Sequence, residues 1–85
     1  MATFLLKKLE KSSTSNYVVE TIQKAIQNGE LRVGDKLPGE IELSASLGLG
    51  RSSIREGIKT LVTYGALEVK HGQGTFVADH FVETF

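Results

Sequence analysis

Leu47-Gly48-Leu49-Gly50-Arg51-Ser52-Ser53-Ile54-Arg55-Glu56-Gly57-Ile58-Lys59-Thr60-Leu61-Val62 is the stretch whose reading decides the fold. Gly48 and Gly50 mark a tight turn. Beyond them Ile54, Ile58, Leu61 and Val62 fall at i, i+4, i+7 and i+8, the spacing of one buried helical face. Arg55 and Lys59 lie one turn apart and away from that stripe, with Ser52 beside them. Arg51 falls in the first turn, near the backbone N–H groups that a helix start leaves unpaired. A helix with one apolar face and one Arg/Lys/Ser face, reached through a short glycine turn, suits a DNA major groove. A guanidinium fork can read O6 and N7 of guanine, and the remaining donors can hold phosphates. Taken alone, the same residues equally describe a solvated surface helix; the flanking segments decide between the two.

Downstream, Gly65 stops this helix after Thr63 or Tyr64. Gly57 inside it costs about 1 kcal/mol relative to Ala, which points to the close approach of another helix. Leu67-Glu68-Val69-Lys70 alternates apolar and polar as a half-buried strand does, His71-Gly72-Gln73-Gly74 is a loop of turn residues, and Thr75-Phe76-Val77 is rich in strand formers. Strand, glycine loop and strand form a β-hairpin. Residues 79–85, with Phe81, Val82 and Phe85, read as an unfinished continuation.

Upstream, Pro38 sets the start of a second helix over about Gly39 to Leu47. Glu40 and Glu42 occupy its first turn, where the helix dipole favours acids. Leu43 and Leu47 are one turn apart, as are Ile41 and Ala45. Glu30 to Pro38 is a connection with a Gly34-Asp35 turn, and Leu31, Val33 and Leu37 are expected to tuck into the core. A first helix is expected from Ser15 to Asn28, capped from the run Ser12-Ser13-Thr14-Ser15, with Val18, Val19, Ile22, Ala25 and Ile26 buried. Residues 1–14 have no clean period and read as an extended N-terminal arm. Three helices and a two-stranded hairpin, the last two helices joined by a tight turn, make a winged helix-turn-helix over residues 15–78: a mainly α domain with a small β element. In that fold the third helix, 51–64, lies in the major groove, and the hairpin loop, 71–74, reaches the minor groove or neighbouring phosphates.

Composition bounds these readings. With 85 residues the chain is one small domain. It has no cysteine, hence no disulfide and no thiolate metal site, which fits a reducing cytoplasm. The apolar runs are too short for a signal peptide or a membrane span. Lys plus Arg equals Asp plus Glu, so the net charge is zero, which counts against a strongly basic nucleic-acid binder. Distribution matters more. From Arg51 to Gly72 there are four Lys/Arg (Arg51, Arg55, Lys59, Lys70) against two acids (Glu56, Glu68), so a local basic face sits on a neutral body. Non-specific DNA affinity is then weak, and useful binding needs two copies. His71 and His80 have no cysteine or ordered carboxylate partners and read as a loop and a tail histidine, so no metal and no cofactor are expected. Gly72-Gln73-Gly74 lacks the downstream glycine and helix of a phosphate loop. No catalytic Ser/His/Asp set is recognisable, so no enzyme is expected.

Three runs carry a resemblance. Ile26-Gln-Asn-Gly-Glu-Leu-Arg-Val-Gly-Asp-Lys-Leu-Pro-Gly-Glu, Gly50-Arg51-Ser52-Ser53-Ile54-Arg55-Glu56-Gly57-Ile58 and His71-Gly72-Gln73-Gly74-Thr75-Phe76-Val77 together resemble the DNA-binding domain of the GntR family of bacterial transcription regulators, over roughly residues 15–78. The resemblance implies operator binding as a homodimer on a short palindrome, with repression as the expected outcome. Arg51 and Arg55 match the family's two recognition-helix arginines, Ser52 and Ser53 its small hydroxyl residues, and His71 and Gly72 its wing tip in the minor groove. It further implies that a small-molecule effector acts through a C-terminal domain, to which residues 79–85 would begin the linker. Three positions depart from the pattern. Ile41 stands where an arginine commonly follows the glutamate, Gly50 where a Ser or Thr usually caps the third helix, and Gly57 where Ala is usual. The neutral net charge keeps a second function class open, a winged helix acting as a protein-interaction or dimerisation module.

Overall fold

The computed structural model describes the backbone of residues 2–78, with side chains from residue 14 onward. Helix α1 spans Ala2–Gln27, α2 Glu40–Leu47 and α3 Arg51–Thr63, followed by strands β1 (Leu67–Lys70) and β2 (Gly74–Val77). The strands pair antiparallel, with Leu67 opposite Val77 and Lys70 opposite Gly74. The expected winged helix-turn-helix is therefore present. The expectation of a linker over residues 79–85, and of a tail histidine at His80, lies outside the described residues.

The apolar stripes of the three helices meet in one core. Val18 and Ile22 of α1, Leu43 of α2, and Ile54 and Leu61 of α3 pack with Leu37, Ala66, Leu67 and Val77. Ile54, Leu61, Leu67 and Val18 are the largest fully buried side chains, each worth roughly 1.5–3 kcal/mol of burial. Helix α1 crosses α3 where Gly57 removes the obstacle: a Cβ there would stand 2.6 Å from Val18 Cγ1 and 3.1 Å from the Ser15 carbonyl oxygen. The close approach inferred from Gly57 is thus to α1. Between α2 and α3 the turn closes on Ser44, whose carbonyl accepts from the N–H groups of Gly48 (2.9 Å) and Leu49 (3.2 Å). The Ser44 hydroxyl donates to the Leu49 carbonyl at 2.5 Å. Gly50 begins α3 with no side-chain cap, as its missing hydroxyl implies.

Four expectations are corrected. The extended arm over residues 1–14 is replaced by helix, because α1 begins at Ala2 rather than Ser15. No Gly or Pro interrupts residues 2–27, and the Ser/Thr run lowers helix propensity only by tenths of a kcal/mol per residue, so nothing stops the helix there. Second, the segment expected to be a plain connection extends the wing. The Gly34 N–H donates to the Val77 carbonyl (2.9 Å), Val77 N–H to Asp35 (2.9 Å) and Leu37 N–H to Thr75 (2.8 Å), with Lys36 bridged to Phe76. Third, Val33 does not join the core: it is 59% exposed, while Leu37 is buried and Leu31 half-buried. The Asp35 carboxylate accepts from the Arg32 N–H at 2.9 Å and closes a turn with Val33 on its outside. Fourth, Leu67 and Val69 share a strand face, yet Val69 is exposed. Val69 lies opposite Thr75 on the side of the hairpin nearer its exposed tip, and it is 59% exposed, so the alternation continues without burial.

Candidate nucleic-acid interface

Helix α3 buries Ile54, Gly57 and Leu61 and leaves Arg51, Ser52, Arg55 and Lys59 exposed on its outer side. Four of the expected contact residues therefore share one accessible helix. Ser53 is different. It is half-buried, and its hydroxyl is hydrogen-bonded to that of Thr14 at 2.7 Å, tying the first turn of α3 to α1. The hydroxyls of Thr60 and Thr63 donate back to the carbonyls of Glu56 and Lys59, each at 3.0 Å, and so are turned into their own helix.

Arg55 is held in place by a residue first read as an ordinary first-turn acid. Its Nε donates to Glu40 Oε2 at 3.0 Å and its Nη2 to Glu40 Oε1 at 2.9 Å, a two-pronged pair that locks the start of α2 to the middle of α3. The hydrogen bond from Arg55 is the main reason the Glu40 carboxyl lies below the usual glutamate range. The charges of Arg55 and Arg51 assist, and partial desolvation opposes. The same bond raises Arg55. Both side chains are substantially exposed, so the pair contributes orientation more than stability. The pair uses two of the guanidinium's five N–H groups, and three further ones lie outside it. Nothing in the local pattern around Glu40 or Arg55 announces this pairing, because the two residues are 15 apart in sequence.

The wing forms the other wall. His71, Gly72 and Gln73 are exposed at the hairpin tip, where Gln73 N–H donates to the Lys70 carbonyl at 2.8 Å. Gly72 has φ +75°, a conformation that L side chains rarely adopt, so its exposed backbone is a consequence of the turn. Lys70 Nζ stands 4.8 Å from the centre of the Phe76 ring, a cation–π contact that steadies the strand leading to the tip. Between α3 and the wing runs a cleft of about 470 Å³ whose lining includes Arg55, Glu40, Ile58, Gln73, Thr75 and Lys36. Lys36 was not singled out from sequence. Its bridge to Phe76 places it on the wing, with its side chain over Gly74, so it adds a cation to this cleft. Among the described residues no cluster of three or more His, Asp, Glu or Cys could hold a metal, and no helix is long and apolar enough to cross a membrane.

Comparison with known proteins returns transcription regulators and their DNA-binding domains. The HTH-type transcriptional regulator LutR of Bacillus subtilis is 41% identical over 54 residues, covering 64% of this chain and 25% of that protein. The Glc operon transcriptional activator of Escherichia coli is 38% identical over 69 residues, covering 81% of this chain and 27% of that protein. The chain spans under a third of the length of the curated relatives it matches. Among solved structures, AraR(DBD) in complex with an operator superposes with a TM-score of 0.73 at 38% identity, covering 76% of this chain and 78% of that one. The family model for bacterial regulatory proteins of the gntR family matches residues 14–77, and the chain belongs to that family.

Proposed function

We propose that this chain is the sequence-specific DNA-binding module of a transcription regulator, working in the cytoplasm as a homodimer on a palindromic operator. Helix α3 lies in the major groove, with Arg55 and Arg51 on base edges and phosphates and Ser52 and Lys59 on the flanking backbone. Ser53 supports the start of α3 through Thr14, so any phosphate contact it makes shares that hydroxyl. His71 and Gly72 meet the minor groove, and Lys36 holds the phosphate strand that passes between wing and helix. Repression by occupying the operator is the mode we assign, and an effector would act through a separate C-terminal domain. The observation that carries the reading is the Glu40–Arg55 pair. It holds a solvent-facing guanidinium in one orientation on the outer face of α3 while leaving donors free, which is what readout of a guanine edge requires. The similarity to AraR(DBD), a domain seen with its operator, supports the same assignment.

The test is selection from a random duplex library at low salt, followed by a salt titration of the enriched sequence. An enriched palindrome is expected, with log affinity falling against log salt by about 0.9 for each phosphate contacted. Weak, salt-sensitive retention of all sequences alike would mean that specific reading requires a dimerising partner domain. No retention of DNA at all would overturn the proposal in favour of a protein-interaction or dimerisation module.

A further inference from the structure

Ile41 has no evident place in the fold. It lies in the first turn of α2 and is 70% exposed, more than any other large hydrophobic side chain among the described residues. Ala45, one turn further on, is exposed as well. With Gly39, Glu40, Glu42 and Arg51 these two line one shallow depression, so an apolar pair of side chains adjoins the first residue of α3. Its position is well defined, because the neighbouring Glu40 is clamped to Arg55 and fixes the start of α2 against α3. The patch is thus continuous with the basic face to which we assign DNA.

An apolar side chain offers nothing to a phosphate, and Glu42 in the same depression repels one. The apolar group that duplex DNA displays in the major groove is the C5-methyl of thymine. We propose that Ile41 is a specificity-determining residue that reads a thymine methyl beside the base step engaged by Arg51. This inference rests on the DNA-binding reading above.

The experiment takes the enriched duplex and replaces each thymine in turn by deoxyuridine, which removes the methyl and leaves the base pair intact. Wild-type protein and Ile41→Ala are compared on every duplex. Loss of one buried methyl contact corresponds to about a fourfold fall in affinity. The expected result is a fall of that size at one thymine per half-site for the wild type, and no fall there for Ile41→Ala. Uracil tolerated at every thymine, or an equal loss in both proteins, would overturn the inference and leave the DNA-binding reading standing. If the protein retains no DNA at all, both readings fail together. A change in the sedimentation of the DNA-free protein on Ile41→Ala, with unchanged uracil sensitivity, would assign the patch to a second copy of the chain instead. Because Ile41 is exposed, the substitution leaves the fold intact, which circular dichroism checks.

Discussion

Replacing Gly57 by Ala is expected to destabilise this chain. In a helix interior the change by itself stabilises by about 1 kcal/mol. Here the new methyl would stand 2.6 and 2.7 Å from Val18 Cγ1 and Cβ, and 3.1 Å from the Ser15 carbonyl oxygen. Both Val18 contacts are far inside van der Waals distance, and a β-branched residue in a helix has one strongly preferred rotamer with which to retreat. Overpacking of this kind costs about 1–3 kcal/mol, and Val18 is fully buried, so the upper part of that range applies. The net loss is about 1–2 kcal/mol, which for a domain of this size lowers Tm by roughly 4–16 °C. The assay is thermal unfolding followed by far-ultraviolet circular dichroism, run on wild type, Gly57→Ala, Val18→Ala and the double variant. In the Val18→Ala background the 2.6 Å contact with Cγ1 disappears while Cβ stays at 2.7 Å, so the loss on Gly57→Ala should be smaller there than in the wild type. The two substitutions are therefore coupled, and the double variant loses less than the sum of the single losses. A wild-type background in which Gly57→Ala raises Tm, or an equal loss in both backgrounds, would refute the argument that α1 and α3 meet through this glycine.

The Glu40–Arg55 pair yields a pH prediction. Arg55 depresses the folded-state ionisation of Glu40, so the pair's contribution is complete above the ordinary glutamate range and fades as pH falls through the lowered folded value. Carboxyl-carbon NMR titration should place Glu40 below an ordinary glutamate in the wild type and return it upward in Arg55→Ala; an unmoved titration would remove the pair from solution. On DNA, Arg55→Ala should cost about 1–3 kcal/mol on the preferred duplex, measured by fluorescence anisotropy, and an unchanged affinity would end its role as a base reader. Glu40→Gln removes an acid from the interface but loosens Arg55, so affinity for random duplex should hold or rise while the preference for the selected sequence narrows. Lys59→Ala should weaken binding similarly on all sequences and make the log–log salt dependence shallower by about one contact; a sequence-dependent loss would assign Lys59 to a base instead.

What the sequence determined by itself is the local architecture. The spacing of Ile54, Ile58, Leu61 and Val62 implied which face of α3 is buried, and Ile54 and Leu61 are fully buried. The glycine turn before α3 and the loop before Thr75 located the helix-turn-helix and the hairpin, because turn chemistry acts over a few residues and is written in them. The basic face of α3 followed from the same period. The tertiary structure alone decided how these elements meet. Glu40 and Arg55 pair across 15 residues only because α2 lies against α3 as it does, so a first-turn acid became the support of an arginine. Residues 34–37 extend the wing through backbone hydrogen bonds, which any side chain can make and no pattern advertises. Val33 and Val69 carry the apolar signal of core residues but stand on the outside of a turn and near the exposed tip of the hairpin. Periodicity fixes which side of an element is apolar, but only the packing of the elements determines whether anything covers it.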